Sequence, residues 1–448
     1  MSVRIVADLA EARRSLLRRG LVQDVEVTPE LLDQSERVWG ERLAPDQVVE
    51  RILADVRARG DAALREVTAR LDRAILASFE VERAEVEAAY RAVPDEVVDA
   101  LRLAIQQVRT FHQRHLPRSW LDFGPDGAIG QRVTPIERIG LHAPGGRAAY
   151  PSTVVMAAVP ARVAGCSSVV MCTPPRPDGT AHPTMLVAAD LAGVDRVFKL
   201  GGAQAIAAMA FGTESVPRVD KIVGPGNIFV ALAKRRVYGV VGVDAIAGPT
   251  ETMLIADESA DPGAAAADML AQAEHDPLAS AILLATSEQV AKLVGAQVER
   301  QLARLPKPDV ARASLASRGG IVVTGSVDVA LELANEYAPE HLCLLVRDPW
   351  AAMAKVKNAG GVFVGETSLE AVGDYTAGPS HVMPTGGTAR FSSPLTTNDF
   401  LKVTSVFAIG VDGVNRLGPP AATLARAEGL PAHAAAVEHR LERIAPRA

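Results

Sequence analysis

Short β-branched runs alternate with alanine-rich helical runs from residue 129 almost to residue 390, and no other feature constrains the fold so tightly. Strand candidates at 168–172, 196–200, 221–223 and 240–243 are separated by helix candidates at 183–192, up to Met209 and up to Arg236. A second set follows, with strands at 252–256, 281–285, 320–324, 342–346 and 362–364. Its helices fall at 262–276, 288–302, 327–337 and 350–358. Strands separated by helices return through crossovers and therefore pair in parallel. Two successive sets of similar size predict a duplicated α/β architecture, although no residue-level repeat relates them.

The flanks read differently. Val48, Val49, Ile52, Leu53 and Val56 recur at helical spacing, and Gly60-Asp61 ends that helix and caps the next. A longer helix over 94–115 buries Val97, Val98, Leu101, Ile105 and Val108, and its end, Phe111 to His115, reads as solvated. Beyond Pro394 the sheet pattern fades. Glycine and proline breaks up to Pro431 read as an arm, followed by a last helix over 431–444. Pro306 to Asp309 reads as a surface loop. The expected organisation is a helical region over 1–128, Rossmann-like domains over 129–249 and 250–390, and a C-terminal arm over 391–448.

Composition narrows the function. A net charge of −6 from 47 basic and 53 acidic residues argues against a nucleic-acid binder held by a basic face. No apolar run reaches membrane-spanning length, so no membrane partner is expected. Cys166, Cys172 and Cys343 form no C-x-x-C pair, which fits a reducing cytoplasm better than a disulfide framework. The N-terminus carries Asp8 and Glu11 among its arginines and lacks an apolar segment, so no obvious signal peptide is expected.

Glycines stand where strands become helices at Gly201-Gly202-Ala203-Gln204 and Gly224-Pro225-Gly226-Asn227, and Gly145-Gly146 opens the region. Such turns let backbone N–H groups approach a phosphate, and they also serve packing alone. They are not the dinucleotide fingerprint, because Phe229 occupies the third glycine position. Asp244 lies at a distance suited to a ribose contact, a spacing that also arises by accident.

The remaining chemistry lies in the second half. Gln272 and His275 are three apart at the end of a helix that Pro277 stops. By themselves they are more simply read as polar decoration on a helix end. Glu340 and His341 sit just before a strand, where both can face a cleft. Asp374 and His381 lie in a glycine-punctuated loop, and Glu428 and His433 lead the last helix. Together Gln272, His275, Asp374 and His433 offer nitrogen and oxygen donors of the kind zinc accepts. Cys343 is better read as a small buried hydrophobe than as a nucleophile.

These motifs, with Gly140 to Gly146, Asp244 to Glu251, Ala338 to Leu342 and His381 to Gly387, span nearly the whole chain in order. The sequence resembles histidinol dehydrogenase, the zinc- and NAD-dependent family that ends histidine biosynthesis. The resemblance implies an aldehyde-dehydrogenase-like class of fold. It implies zinc at Gln272, His275, Asp374 and His433, with His341 as general base and Glu340 activating water. It further implies substrate contacts at Thr250, His381 and Glu428, and NAD held by His142, Gln204 and Asn227. Two positions depart from the family pattern: His142 stands where tyrosine is usual, and Thr250 where serine is usual. The resemblance also implies an obligate homodimer, each tail supplying Glu428 and His433 to its neighbour.

The expected chemistry is a double oxidation: His341, near neutral pKa, takes the alcohol proton, and the aldehyde is hydrated before a second hydride leaves. Glu428 favours histidinol as substrate, since a carboxylate suits a cationic amine. Two alternatives remain: a related zinc/NAD dehydrogenase of another small polar alcohol, such as a sulfonated propanediol, and a metal-dependent hydrolase using Glu340 and His341.

Overall fold

The computed structural model describes residues 3–19, 27–145 and 149–444, so Gly146 lies outside the described residues. In chain order the strands begin with β1 (Ile5–Val6), β2 (Trp120–Gly124), β3 (Gly127–Pro135), β4 (Arg138–His142) and β5 (Ser168–Thr173). Next come β6 (Arg196–Lys199), β7 (Lys221–Val223), β8 (Gly242–Val243), β9 (Glu251–Ala256) and β10 (Ser280–Ala285). The series closes with β11 (Gly320–Val323), β12 (His341–Leu345), β13 (Gly361–Val364) and β14 (Leu401–Ile409).

One parallel sheet has the order β6-β5-β4-β7-β8 and a second the order β1-β11-β10-β9-β12-β13. In each, the first strand of the unit (β4 or β9) is central, with two successors on one side and two on the other. This doubly wound order appears twice, with β1 added at the edge of the second sheet. The duplicated architecture expected from the alternating pattern is therefore present. Its cause is burial on both faces. Every residue of β9, β10 and β12 is buried, which demands continuous apolar runs rather than strict alternation. Helices Pro151–Ala164, Pro183–Ala192 and Gly202–Phe211 are buried over most of their surface, which explains their small residues.

The N-terminal helices form a further layer on the first sheet's helices. Pro45–Arg59 packs on Gly202–Phe211 and Ile228–Val237, while Asp95–Gln113 packs on Pro151–Ala164 and Pro183–Ala192. His112 is fully buried and neither ring nitrogen has a partner, so the expected solvated helix end is corrected there. Burial lowers its pKa to about 4, with the charge of His115 acting in the same sense.

The C-terminal stretch is also more regular than expected. β14 pairs antiparallel with β3 along its whole nine-residue length, and β3 pairs with β2. Helix Val411–Ala427 follows and contains Pro419 and Pro420. Each proline removes one helical hydrogen bond, but Gly418 lets the last helix approach closely, so packing supports the segment. Smaller differences have local causes. Pro308 opens helix Pro308–Ser317 at its first position, where its missing N–H is harmless. The helix expected over 350–358 is only Pro349–Met353, and the strand expected over 240–243 is only Gly242–Val243.

Gly224 joins β7 to its helix with φ +106°, and a Cβ there would lie 2.2 Å from the carbonyl oxygen of His142. Gly224→Ala should therefore destabilise the protein by about 2 kcal/mol or more through backbone strain alone. A fall in the urea midpoint checks this, and an unchanged midpoint would contradict it.

Candidate active site

Glu340 and His341 lie at the amino end of the second sheet, not at the carboxyl ends where doubly wound folds usually bind ligands. Their neighbours come from β9, since β12 pairs with β9 and His341 stands opposite Thr252. Glu340 Oε2 accepts the Thr250 hydroxyl at 2.6 Å and the Glu251 N–H at 2.9 Å. The Thr250 oxygen in turn accepts from Gln272 Nε2 at 2.6 Å. His341 Nδ1 donates to the Glu251 carbonyl at 3.0 Å, which fixes a proton on that nitrogen. Its Nε2 is buried without a hydrogen-bond partner and faces Asp374 Oδ1 at 3.5 Å. Asp374 is carried by the short helix Glu370–Tyr375, and its carbonyl accepts from His381 Nδ1 at 2.7 Å. His381 Nε2 reaches Thr153 Oγ1 at 3.4 Å, on the first helix after β4. The cluster thus joins the loop after the second sheet to the first half of the chain.

The electrostatics follow from burial and proximity. Burial pushes Glu340 up to about 7 against the pull of His341 and its hydrogen bonds. Burial alone would lower His341, but Glu340, Asp374 and Glu370 outweigh it and raise it to about 10. A histidine near neutrality was the expectation; with these side chains alone, the surrounding carboxylates hold its proton. Asp374 stays below the usual carboxylate range, because His341 overcomes its burial. Burial lowers His381 below its ordinary value, against the pull of Asp374. The sequence reading missed Glu370, buried beneath the pair, which accepts from Thr252 Oγ1 and from Cys343 Sγ at 3.0 Å. Burial and Glu370 raise the Cys343 thiol well above its ordinary value, so it is an inert packing group.

Residues expected at the cofactor gather at the carboxyl ends of the first sheet. His142 ends β4 and is buried, its Nδ1 donating to Pro225 O at 2.8 Å and its Nε2 unpartnered. Gln204 sits in the helix after β6 with Nε2 donating to Asp72 at 3.2 Å and Oε1 buried without a partner. Asn227 caps the helix after β7 through its side-chain oxygen, leaving its amide N–H groups for other partners. The orphaned polar atoms of His142 and Gln204 suit a polar ligand such as a dinucleotide. Asp244 does not join them. It accepts from Gly224 N at 2.8 Å and pairs with the buried Lys234, so it stabilises the glycine turn. A ribose role for Asp244 is therefore corrected.

The proposed metal donors are only partly assembled. Gln272 is buried, and bonding through Nε2 leaves its Oε1 as a ligand. His275 lies just past helix Pro262–Ala273, close enough for its charge to help hold Asp374 ionised. These nitrogen and oxygen donors match zinc chemistry. Glu428 and His433 are exposed on the C-terminal helices, which pack on each other and on β3. Among the described residues, no three His, Cys, Asp or Glu side chains converge as a complete cage.

Comparison with known proteins fits this arrangement. A sequence profile described as histidinol dehydrogenase matches residues 40–441. The histidinol dehydrogenase of Deinococcus radiodurans is 54% identical over 435 residues, covering 97% of this chain and 99% of that protein. That of Geobacter metallireducens is 52% identical over 401 residues, covering 89% and 92% respectively. The crystal structure of histidinol dehydrogenase from Elizabethkingia anophelis matches with a TM-score of 0.90 at 35% identity, over 99% of this chain and 98% of that one.

Asp244→Asn separates a structural role from a ribose contact. It leaves the buried Lys234 cation without its counter-charge and should destabilise the fold by about 3–5 kcal/mol. The ratio of NAD to NADP affinity, measured by titration calorimetry on folded protein, should stay within about twofold, below the tenfold that 1.4 kcal/mol represents. A large change in that ratio with unaltered stability would restore the ribose assignment.

Proposed function

The chain belongs to the histidinol dehydrogenase family and is an NAD-dependent oxidoreductase, and from that premise we propose its full reaction: oxidation of L-histidinol through L-histidinal to L-histidine, with two NAD and one zinc per subunit. The observation that carries the reading is the Glu340–His341 pair, two buried titratable groups pushed to different pKa values beside Asp374 and Gln272.

With Asp374's charge offset by a bound cation, His341 would release the proton that the carboxylates otherwise hold and could then take the alcohol proton at Nε2, the ring atom without a hydrogen-bond partner. The Glu251 carbonyl holds the opposite nitrogen and orients the ring. NAD would be held by His142, Gln204 and Asn227 and would supply the hydride acceptor for both oxidations. Zinc, when bound at Gln272, His275, Asp374 and His433, supplies positive charge that offsets Asp374 and a template for the substrate's nitrogens. Glu340 removes a proton from the water that adds to the aldehyde, a task suited to a carboxyl near 7. Thr250 holds that carboxylate and Gln272 together through one hydroxyl, so the threonine keeps what a serine would provide. His381 positions the Asp374 backbone and lies where substrate contact is proposed.

His433 and Glu428 are supplied to this site by a second copy in a homodimer. Support comes from the apolar side chains that the antiparallel sheet and arm leave uncovered: Phe123 at 77%, Phe407 at 76% and Leu424 at 64% exposure. Exposed apolar surface on that scale marks an interaction face. Glu428 then places a carboxylate for the substrate's cationic amine. Thr250 favours a second reading, since its extra methyl alters the substrate pocket, and another small polar alcohol would then be oxidised. The enzyme is read as acting in the cytoplasm, in keeping with three buried free cysteines.

Turnover of L-histidinol should yield two NADH per molecule consumed, with little free aldehyde, read by absorbance and product chromatography. Glu340→Gln should slow aldehyde oxidation by about 10²-fold or more while sparing the first hydride step. One NADH with aldehyde as the final wild-type product would overturn the two-step reading.

A further inference from the structure

Arg19 lies outside residues 40–441, the stretch matched by the family profile, yet its guanidinium ends at the root of the catalytic pair. Nε and Nη2 donate to the Tyr337 carbonyl at 2.9 and 2.7 Å, and Nη2 also reaches the Ala338 carbonyl at 3.1 Å. Nη1 pairs with the Glu251 carboxylate. The guanidinium carbon lies 3.4 Å from the Tyr337 ring centroid, and the side chain is only 21% exposed. A planar fork with five N–H donors can meet three acceptors at once, which an ammonium on a flexible stem cannot match.

Each partner stands one step from the chemistry. Tyr337 ends helix Val327–Tyr337, whose last carbonyls lack helical donors and carry partial negative charge. Ala338 has φ +52°, a left-handed conformation that a non-glycine residue adopts only under strain. Pro339, Glu340 and His341 follow it directly. On the other side, Glu251 gives its N–H to Glu340 and its carbonyl to His341, and its carboxylate also accepts from Gly386 N at 3.0 Å. The N-terminal segment is itself anchored by β1 on β11, while the exposed Arg13–Glu336 ion pair adds little.

We propose that Arg19 is a positioning residue of the active site: it clamps the strained 337–338 turn to Glu251 and so sets where Glu340 and His341 stand. The proposal rests on reading Glu340 and His341 as the catalytic pair. Arg19 donates to neither of them, so its effect passes through Glu251 and the turn. A role in stability alone would lower the amount of folded protein and leave the turnover of what remains intact. Beside the guanidinium is a half-open pocket of about 350 Å³ whose lining includes Glu336 and Tyr337 as well as Arg13, Arg18 and Arg390.

The test compares Arg19→Ala, Arg19→Lys and, as a control on the same cavity, Arg13→Ala. Arg19→Ala should lower kcat about tenfold to hundredfold, the scale of a 1 Å misplacement, with KM for NAD within about twofold. Millimolar methylguanidinium should recover part of that loss in Arg19→Ala and do nothing for the wild type. Arg19→Lys should remain closer to the alanine variant than to the wild type, and Arg13→Ala should keep full kcat. Hydrogen exchange should show lost protection at the amides of Glu251 and Gly361, which bond Glu340. Unchanged kcat in Arg19→Ala, or a loss that methylguanidinium cannot relieve, would overturn the proposal. If the alanine variant fails to fold, full kcat in Arg19→Lys overturns it. If the wild type does not oxidise histidinol, the functional reading fails separately, and unchanged exchange in the variants would still refute the role of Arg19.

Discussion

A carboxylate buried as deeply as Glu340 stays near ionisation only where hydrogen-bond donors and a cation surround it. That requirement organises the molecule around it. The donors are a hydroxyl at 250 and a backbone N–H at 251, both at the start of β9, and the cation is His341 on β12. They meet because β9 and β12 are neighbours, and β9 and β12 are neighbours because the second unit has the doubly wound strand order. From Glu340 the contacts run outward in two directions. One passes through Thr250 to Gln272 at the end of helix Pro262–Ala273. The other passes through Glu251, His341 and Asp374 to His381, and from there to Thr153 in the first half. One polar chain therefore couples the two sheets.

Most strands of both parallel sheets were legible in the sequence because they are buried on both faces and stand out as apolar runs, but the central β4 and the two-residue edge strand β1 were not among the strands expected. Nor was the antiparallel sheet legible. β14 and β2 carry apolar residues but without strict alternation and are mostly exposed in the single chain, so no period marks them. Proline and glycine at 418–420 hid the helix after β14, since a breaker's local cost shows in sequence and the packing that offsets it does not. His112 could have been found. It continues the stripe Leu101, Ile105, Val108 at helical spacing, and that stripe is buried.

In the site, the motif Pro339-Glu340-His341 was correctly expected at a strand mouth, and Gln272, His275 and Asp374 do approach the same region. The spacing of Asp244 left a ribose contact and an accident both open, because its partner, Lys234, lies on the preceding helix and no periodicity announces a buried ion pair. Glu251, Glu370 and Arg19 escaped notice for a related reason. Each acts through backbone groups or a short helix, so its importance depends on geometry that residue type does not reveal.

The proposed metal donors fall in two places: Gln272, His275 and Asp374 lie near the proposed catalytic pair Glu340–His341, while Glu428 and His433 are exposed on an arm that packs on β3. The same arm leaves Phe407 and Leu424 uncovered. The proposed symmetric dimer, in which each arm lies across the other copy, would account for both the divided donor set and the uncovered face. Mixing His275→Ala with His433→Ala protein, with subunit exchange verified by mass spectrometry, tests this most directly. Each variant alone should be nearly inactive. In the mixed dimer one site carries both lesions and the other neither, so about half the wild-type activity per heterodimer should return. Verified exchange with no recovery would show that the arm serves its own chain and would contradict the account.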